Sequence, residues 1–175
     1  MERIDKARLV ARGCEQKFGV DYVEVYAPVA RIQTIRTLLA LSVEMDYHVH
    51  QMDVTTAYIQ GDLLETVYME QPEMFVDNKN KVCRLRRPIY GLKQSGRAWQ
   101  HKLSQKLKQI GLDESKVEPC VYTGKIDNFN VIIVVYVDDL LLATKSINIM
   151  RKLKGGGPLV TLKKSIFFFL LFFEV

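Results

Sequence analysis

"VVYVDDLLLA", residues 134–143, sets two adjacent aspartates into an otherwise apolar run. The stretch Val131–Val137 precedes them and Leu140–Ala143 follows, with no further charge until Lys145. An unpartnered buried carboxylate is very costly. The pattern predicts two apolar strands joined by a tight turn. On one reading Asp138 and Asp139 are simply turn residues. Two-residue hairpins need positive φ and favour Asn-Gly or Asp-Gly, so Asp-Asp is a poor choice for that role. On the other reading a divalent cation neutralises them, since Mg²⁺ takes one or two carboxylates together with phosphates and water. Asp53 is the candidate third carboxylate. It stands near the end of the strand-like "YHVHQMDV" and is the only acidic residue between Asp46 and Asp62.

Working outward, the 175 residues suit one domain, or a domain plus a tail. The hydrophobic fraction of 48% is enough for a sizeable core, and the charged fraction of 26% argues against global disorder. Cys14, Cys83 and Cys120 are far apart, odd in number and without a zinc-like spacing, so reduced thiols in an intracellular protein are expected. The charged start "MERIDKARLV" does not read as a signal peptide. The longest apolar run, "IFFFLLFF" at 166–173, falls far short of the ~18 residues of a membrane span.

Between Asn78 and Leu112 stand ten Lys or Arg and no Asp or Glu, leaving 15 of the 25 basic residues to face 20 acidic ones elsewhere. Such a segment is either a solvated face or a surface for a polyanion, and the mutual repulsion of its charges favours the second. "APVARIQTIRTLLALSVEM" reads as a helix after Pro28. "ETVYMEQP" reads as a short strand, and "KVCRLRRPIYGL" as an extended stretch broken by Pro88 and Gly91. "SGRAWQHKLSQKLKQIGL" is the clearest helix. Ser95 is expected to cap it and Gly111 to end it, with Trp99, Leu103, Leu107 and Ile110 forming an apolar stripe. "CVYTG" and "NVIIVVYV" read as strands joined by a turn near "KIDNFN". "KGGGP" at 154–158 breaks the pattern, and the residues beyond differ in composition from everything before.

The segments "DKARLVARG", "APVARIQTIRTLLAL", "QMDVTTAYIQGDLLETVYMEQPEMF", "IYGLKQSGRAWQHKL" and "YVDDLLLAT" occur in the order found in copia-type retrotransposon reverse transcriptases. The resemblance covers roughly residues 4–145. It implies an α+β palm-and-fingers polymerase fold, with an antiparallel sheet carrying the catalytic aspartates and helices packed behind it. Asp53 resembles the aspartate of the first palm motif, and Asp138 and Asp139 the pair of the YxDD hairpin. The implied activity is RNA-directed DNA polymerisation by two Mg²⁺ ions, with Mn²⁺ as a substitute, held by Asp53, Asp138 and Asp139.

The resemblance also implies that Tyr58 lies under the incoming sugar and excludes a 2′-hydroxyl. Arg8 and Lys6 fall where family members contact the triphosphate. Gly91 belongs to the motif that supports the nucleotide. Lys93, Arg97, Lys102 and Tyr136 are implied contacts to template and primer. The implied partners are an RNA or DNA template with its primer, deoxynucleoside triphosphates and the remaining Pol polyprotein segments, with no membrane. For an intact element the implied location is cytoplasmic, in a virus-like particle; for this fragment the resemblance implies none.

Residues 1–150 are expected to form a partial fingers and palm domain, and 151–175 a divergent, poorly ordered tail. Family-like sequence stops near Arg151, and no thumb or ribonuclease H segment is recognised. A catalytically inactive, nucleic-acid-binding relic of such an element is the alternative. A metal-dependent nuclease would also need carboxylates but does not match the ordered motifs.

Overall fold

The structure, a computed structural model of the chain, describes residues 8–76, 80–155 and 162–163. In chain order its elements are α1 (Ile32–Glu44), β1 (His48–Val54), α2 (Ala57–Gln60), β2 (Tyr68–Met69), β3 (Cys83–Arg84), α3 (Ser95–Gln109), β4 (Leu112–Glu114), β5 (Val121–Ile126), β6 (Phe129–Tyr136), β7 (Asp139–Thr144), α4 (Ile147–Gly155) and β8 (Leu162–Lys163). The chain is α+β, and every named strand pairing is antiparallel. It divides into two compact units, residues 1–27 with 58–102, and 28–57 with 103–175.

The second unit carries a six-stranded sheet in the order β4-β5-β6-β7-β1-β8. Val134 pairs with Leu141 and Ile132 with Ala143, on one face. There they meet Ile35 and Leu38 of α1, together with Ala30, Cys120, Tyr47 and Val49. Alternate positions, Val131, Ile133, Val135, Leu140 and Leu142, are buried on the other face. On that face α4 packs against β7 and β1, burying Ile149, Met150 and Leu153. Burial on both faces explains why these strands read as unbroken apolar runs rather than as alternation. Where Lys154 Nζ meets His50 Nδ1 at 2.6 Å, burial first, and then the Lys154 charge, hold the His50 pKa below its usual value.

Local chemistry sets the boundaries. α1 ends in a Schellman motif. Asp46 takes φ 54°, its N–H donates to Val43 O, and the Tyr47 N–H donates to Ser42 O. Gly111, at φ 85°, follows the end of α3 as its sequence suggests. Ser95 does not cap: it is the first residue of α3, and its hydroxyl donates to Ile89 O at 2.5 Å. The capping serine is Ser146, whose Oγ accepts the Ile149 N–H before α4.

In the first unit, β2 and β3 form a two-stranded sheet, and Ala11, Val67 and Leu92 form a small core with Leu63, Leu85 and Ile89. Of the expected tail, residues 151–155 continue α4. Residues 162–163 add a strand to the β1 edge, with Lys163 opposite Asp53 in register. Residues 156–161 and 164–175, including the apolar run, lie outside the described residues. No helix of the described residues is long and apolar enough to cross a membrane.

Candidate active site

The ladder between β1 and β7 sets Asp53 directly opposite Asp139. Next along it, the Val54 N–H donates to Asp138 O at 2.8 Å. Bonded and unbonded pairs alternate in an antiparallel ladder. Asp53 and Asp139 therefore form an unbonded pair, the kind whose Cα atoms lie about 4.5 Å apart and whose side chains are closest. Like charges directly opposite are destabilising. Burial pushes the Asp139 carboxyl pKa above its usual value. A hydrogen bond from Gln51 opposes this, and the charges of Asp138 and Asp53 add to it.

Asp138 precedes β7 in a two-residue turn between Tyr136 and Asp139, whose other residue is Val137 at φ 56°. Positive φ in a β-branched residue is strained, and such strain persists where the surroundings enforce it. Tyr136, 47% exposed, stands opposite Asp139 on the β6 side. The aspartates thus share one end of the sheet, at a strained hairpin tip.

Gln51 Nε2 donates to Asp139 Oδ1 at 2.9 Å. Among the described residues, no three His, Cys, Asp or Glu side chains are gathered closely enough to hold a metal ion. By type, three carboxylates without a thiolate would suit a hard cation such as Mg²⁺ or Mn²⁺.

The other sequence-selected residues are placed in the first unit. The rings of Tyr58 and Tyr90 lie with centroids 4.5 Å apart, and the Arg8 guanidinium sits 5.2 Å from the Tyr90 centroid. Gly91 has φ 93°, and a Cβ there would come within 2.0 Å of Ala11 O. The close approach that demands glycine is therefore made by the chain's own backbone, where the Ala11 N–H donates to Tyr90 O at 2.8 Å. The Lys93 ammonium donates to Tyr22 Oη at 3.3 Å, and its backbone N–H donates to Gln16 Oε1. Lys6 lies outside the described residues.

Part of the basic segment is neutralised within the chain. Arg97 pairs with Glu24, while Arg87 and Lys102 both grip Asp62, at 2.5 and 2.7 Å. The Lys102 hydrogen bond is the main cause holding the Asp62 pKa below its ordinary value. Repulsion among ten cations is thereby relieved from distant parts of the sequence. Sequence reasoning also passed over Gln51 and Tyr90. Strand periodicity could have found Gln51, two residues before Asp53 and so on the same face. Tyr90 adjoins Gly91 inside a motif already singled out.

Comparison with known proteins matches residues 2–157 to the family model described as reverse transcriptase (RNA-dependent DNA polymerase). The chain is 43% identical over 153 residues to the retrovirus-related Pol polyprotein from transposon TNT 1-94 of Nicotiana tabacum, covering 86% of this chain and 12% of that protein. It is 41% identical over 139 residues to the Pol polyprotein from transposon RE1 of Arabidopsis thaliana, covering 78% and 10%. To the transposon Ty1-H Gag-Pol polyprotein of Saccharomyces cerevisiae it is 33% identical over 165 residues, covering 91% and 8%. The chain thus spans about a tenth of the length of these relatives. No solved structure matches it. With ordered motifs, an aspartate pair across the ladder and a match over nearly its whole length, the chain belongs to the reverse transcriptase family of copia-type retrotransposon Pol polyproteins.

Proposed function

We propose that the chain carries the catalytic core of an RNA-directed DNA polymerase, with the sheet of the second unit as its palm and the first unit as fingers. The observation that carries this is the register that opposes Asp53 to Asp139 beside Asp138 at a hairpin tip. A fold gains nothing in stability from like charges placed so. A polymerase uses carboxylates brought to one place in this way to hold two divalent cations.

Asp53, Asp138 and Asp139 would be the ligands. The bound ions would lower the pKa of a primer 3′-hydroxyl and offset the charge developing on the leaving pyrophosphate. The chain's own part is to hold the carboxylates at a fixed spacing on a rigid ladder. Tyr136, exposed beside Asp139, supports the primer end. Arg8 offers a cation to a triphosphate. Tyr58, its ring braced by Tyr90, presents bulk against a 2′-hydroxyl. Lys93, Arg97 and Lys102 contact template or primer only after exchanging Tyr22, Glu24 or Asp62 for phosphate. Arg84, Arg86 and Lys108 are exposed and suited to phosphate contact directly.

Primer extension on an RNA template with Mg²⁺ tests this reading. The expected result is extension that Asp139→Asn lowers at least ~100-fold, the penalty of misplacing a reacting group by about an ångström. Extension that survives Asp139→Asn undiminished would sink it.

A further inference from the structure

We propose that Gln51 is a positioning residue that fixes the carboxylate of Asp139, leaving one oxygen of that group for a divalent cation; this rests on the polymerase reading above. The single polar contact of the Asp139 carboxylate among the described residues is the Gln51 amide, at 2.9 Å to Oδ1. The ladder shows why this residue reaches. Gln51 lies opposite Leu141 and is the diagonal neighbour of Asp139 on the same face. Diagonal positions are ~7–8 Å apart, within reach of a long side chain.

Apolar packing would favour a different residue there. On its own strand Gln51 follows Val49, which packs against the α1 core, and it stands opposite the buried Leu141. A leucine or methionine at 51 would bury well beside them. The amide instead spends its donor on a carboxylate. Its neutrality matters equally. A lysine or arginine in the same place would discharge the aspartate cluster and compete with a cation. An amide orients the carboxylate and leaves the negative charge in place. Groups that orient metal ligands from behind contribute ~10–100-fold in metal affinity or activity.

Mn²⁺ titration of the full chain, followed by the loss of the free-ion electron paramagnetic resonance signal, reads this without any turnover. Gln51→Met removes the donor at nearly constant volume, and Gln51→Asn keeps an amide but is one methylene short. Asp139→Asn serves as reference, and circular dichroism with a melting curve verifies each fold. The expected result is Mn²⁺ binding by the wild type, its loss in Asp139→Asn, and about tenfold weaker binding in both Gln51 variants. If Asp139→Asn loses the ion while a folded Gln51 variant binds it as the wild type does, the positioning role falls alone. If the wild type binds no Mn²⁺, or Asp139→Asn binds it equally well, the metal reading falls and takes this inference with it.

Discussion

Strand β6 has a two-residue turn at each end, and the two turns are built on opposite principles. At one end Asp127 and Asn128 take φ 48° and 67° between the paired residues Ile126 and Phe129. Both are among the few residues that tolerate the left-handed region, and the pair fits the type I′ geometry that matches strand twist. At the other end Val137 takes φ 56° and Asp138 completes the turn. A β-branched residue at positive φ, followed by two adjacent carboxylates, is the choice a hairpin would avoid. The Asp127 carboxylate is answered by Lys152. No Lys or Arg among the described residues pairs with Asp138 or Asp139. The first turn serves the sheet, whereas the second is held in place by the sheet for the chemistry proposed at its tip.

The largest effect on this contrast is expected from giving the relaxed turn the strained turn's residue. Asn128→Val places a β-branched side chain at φ 67°, which costs about 1–3 kcal/mol. For a chain of this size that is a melting temperature lower by about 5 °C. A change below ~1 °C would show that backbone strain is not what separates the two turns. The reverse exchange is smaller. Val137→Gly relieves about 1–2 kcal/mol of left-handed strain but returns about 0.5–1 kcal/mol to the unfolded chain as entropy. Melting should rise by ~2 °C while primer extension falls, because a freer tip no longer fixes Asp138 and Asp139. A Val137→Gly variant that melts lower would remove the strain from the account.

Much of this was legible in the sequence, and the limits have physical causes. Two carboxylates inside an apolar run marked a candidate site, and strand length and turn residues marked the elements around it. What the sequence left open was register. It marked Asp138 and Asp139 as a pair at a tip, whereas the turn consists of Val137 and Asp138, and Asp139 is the first residue of β7. That single step puts Asp139 opposite Asp53 and on the same face as Gln51, since successive strand residues face opposite ways. Charge was legible as composition but not as pairing. Asp62 meets Arg87 and Lys102 across 25 and 40 residues, and no local pattern encodes such contacts. Gly91 marks a close approach of backbone, and a glycine's need for space does not say what fills it. Here Ala11 does.

The smallest effect concerns the ion pair that distinguishes the relaxed turn. Lys152 Nζ lies 2.8 Å from Asp127 Oδ2, joining the last turn of α4 to the tip of the β5–β6 hairpin. Both side chains are about 60% exposed, at 62% and 61%, so water and salt screen the attraction. Pairs of this kind contribute ~0.2–1 kcal/mol. Lys152 also sits favourably at a helix C-terminus, a second modest and equally screened term. Lys152→Ala should therefore lower the melting temperature by only ~1–2 °C in dilute buffer. In about 1 M NaCl, where the screening length falls to ~3 Å, the difference should vanish. Strain is not screened, so the effects of Asn128→Val and Val137→Gly should persist in the same salt. A Lys152→Ala deficit that salt leaves intact would mean that the lysine acts through packing of its aliphatic stem. The contrast between the two tips would then rest on backbone geometry alone, not on which carboxylates have a basic partner.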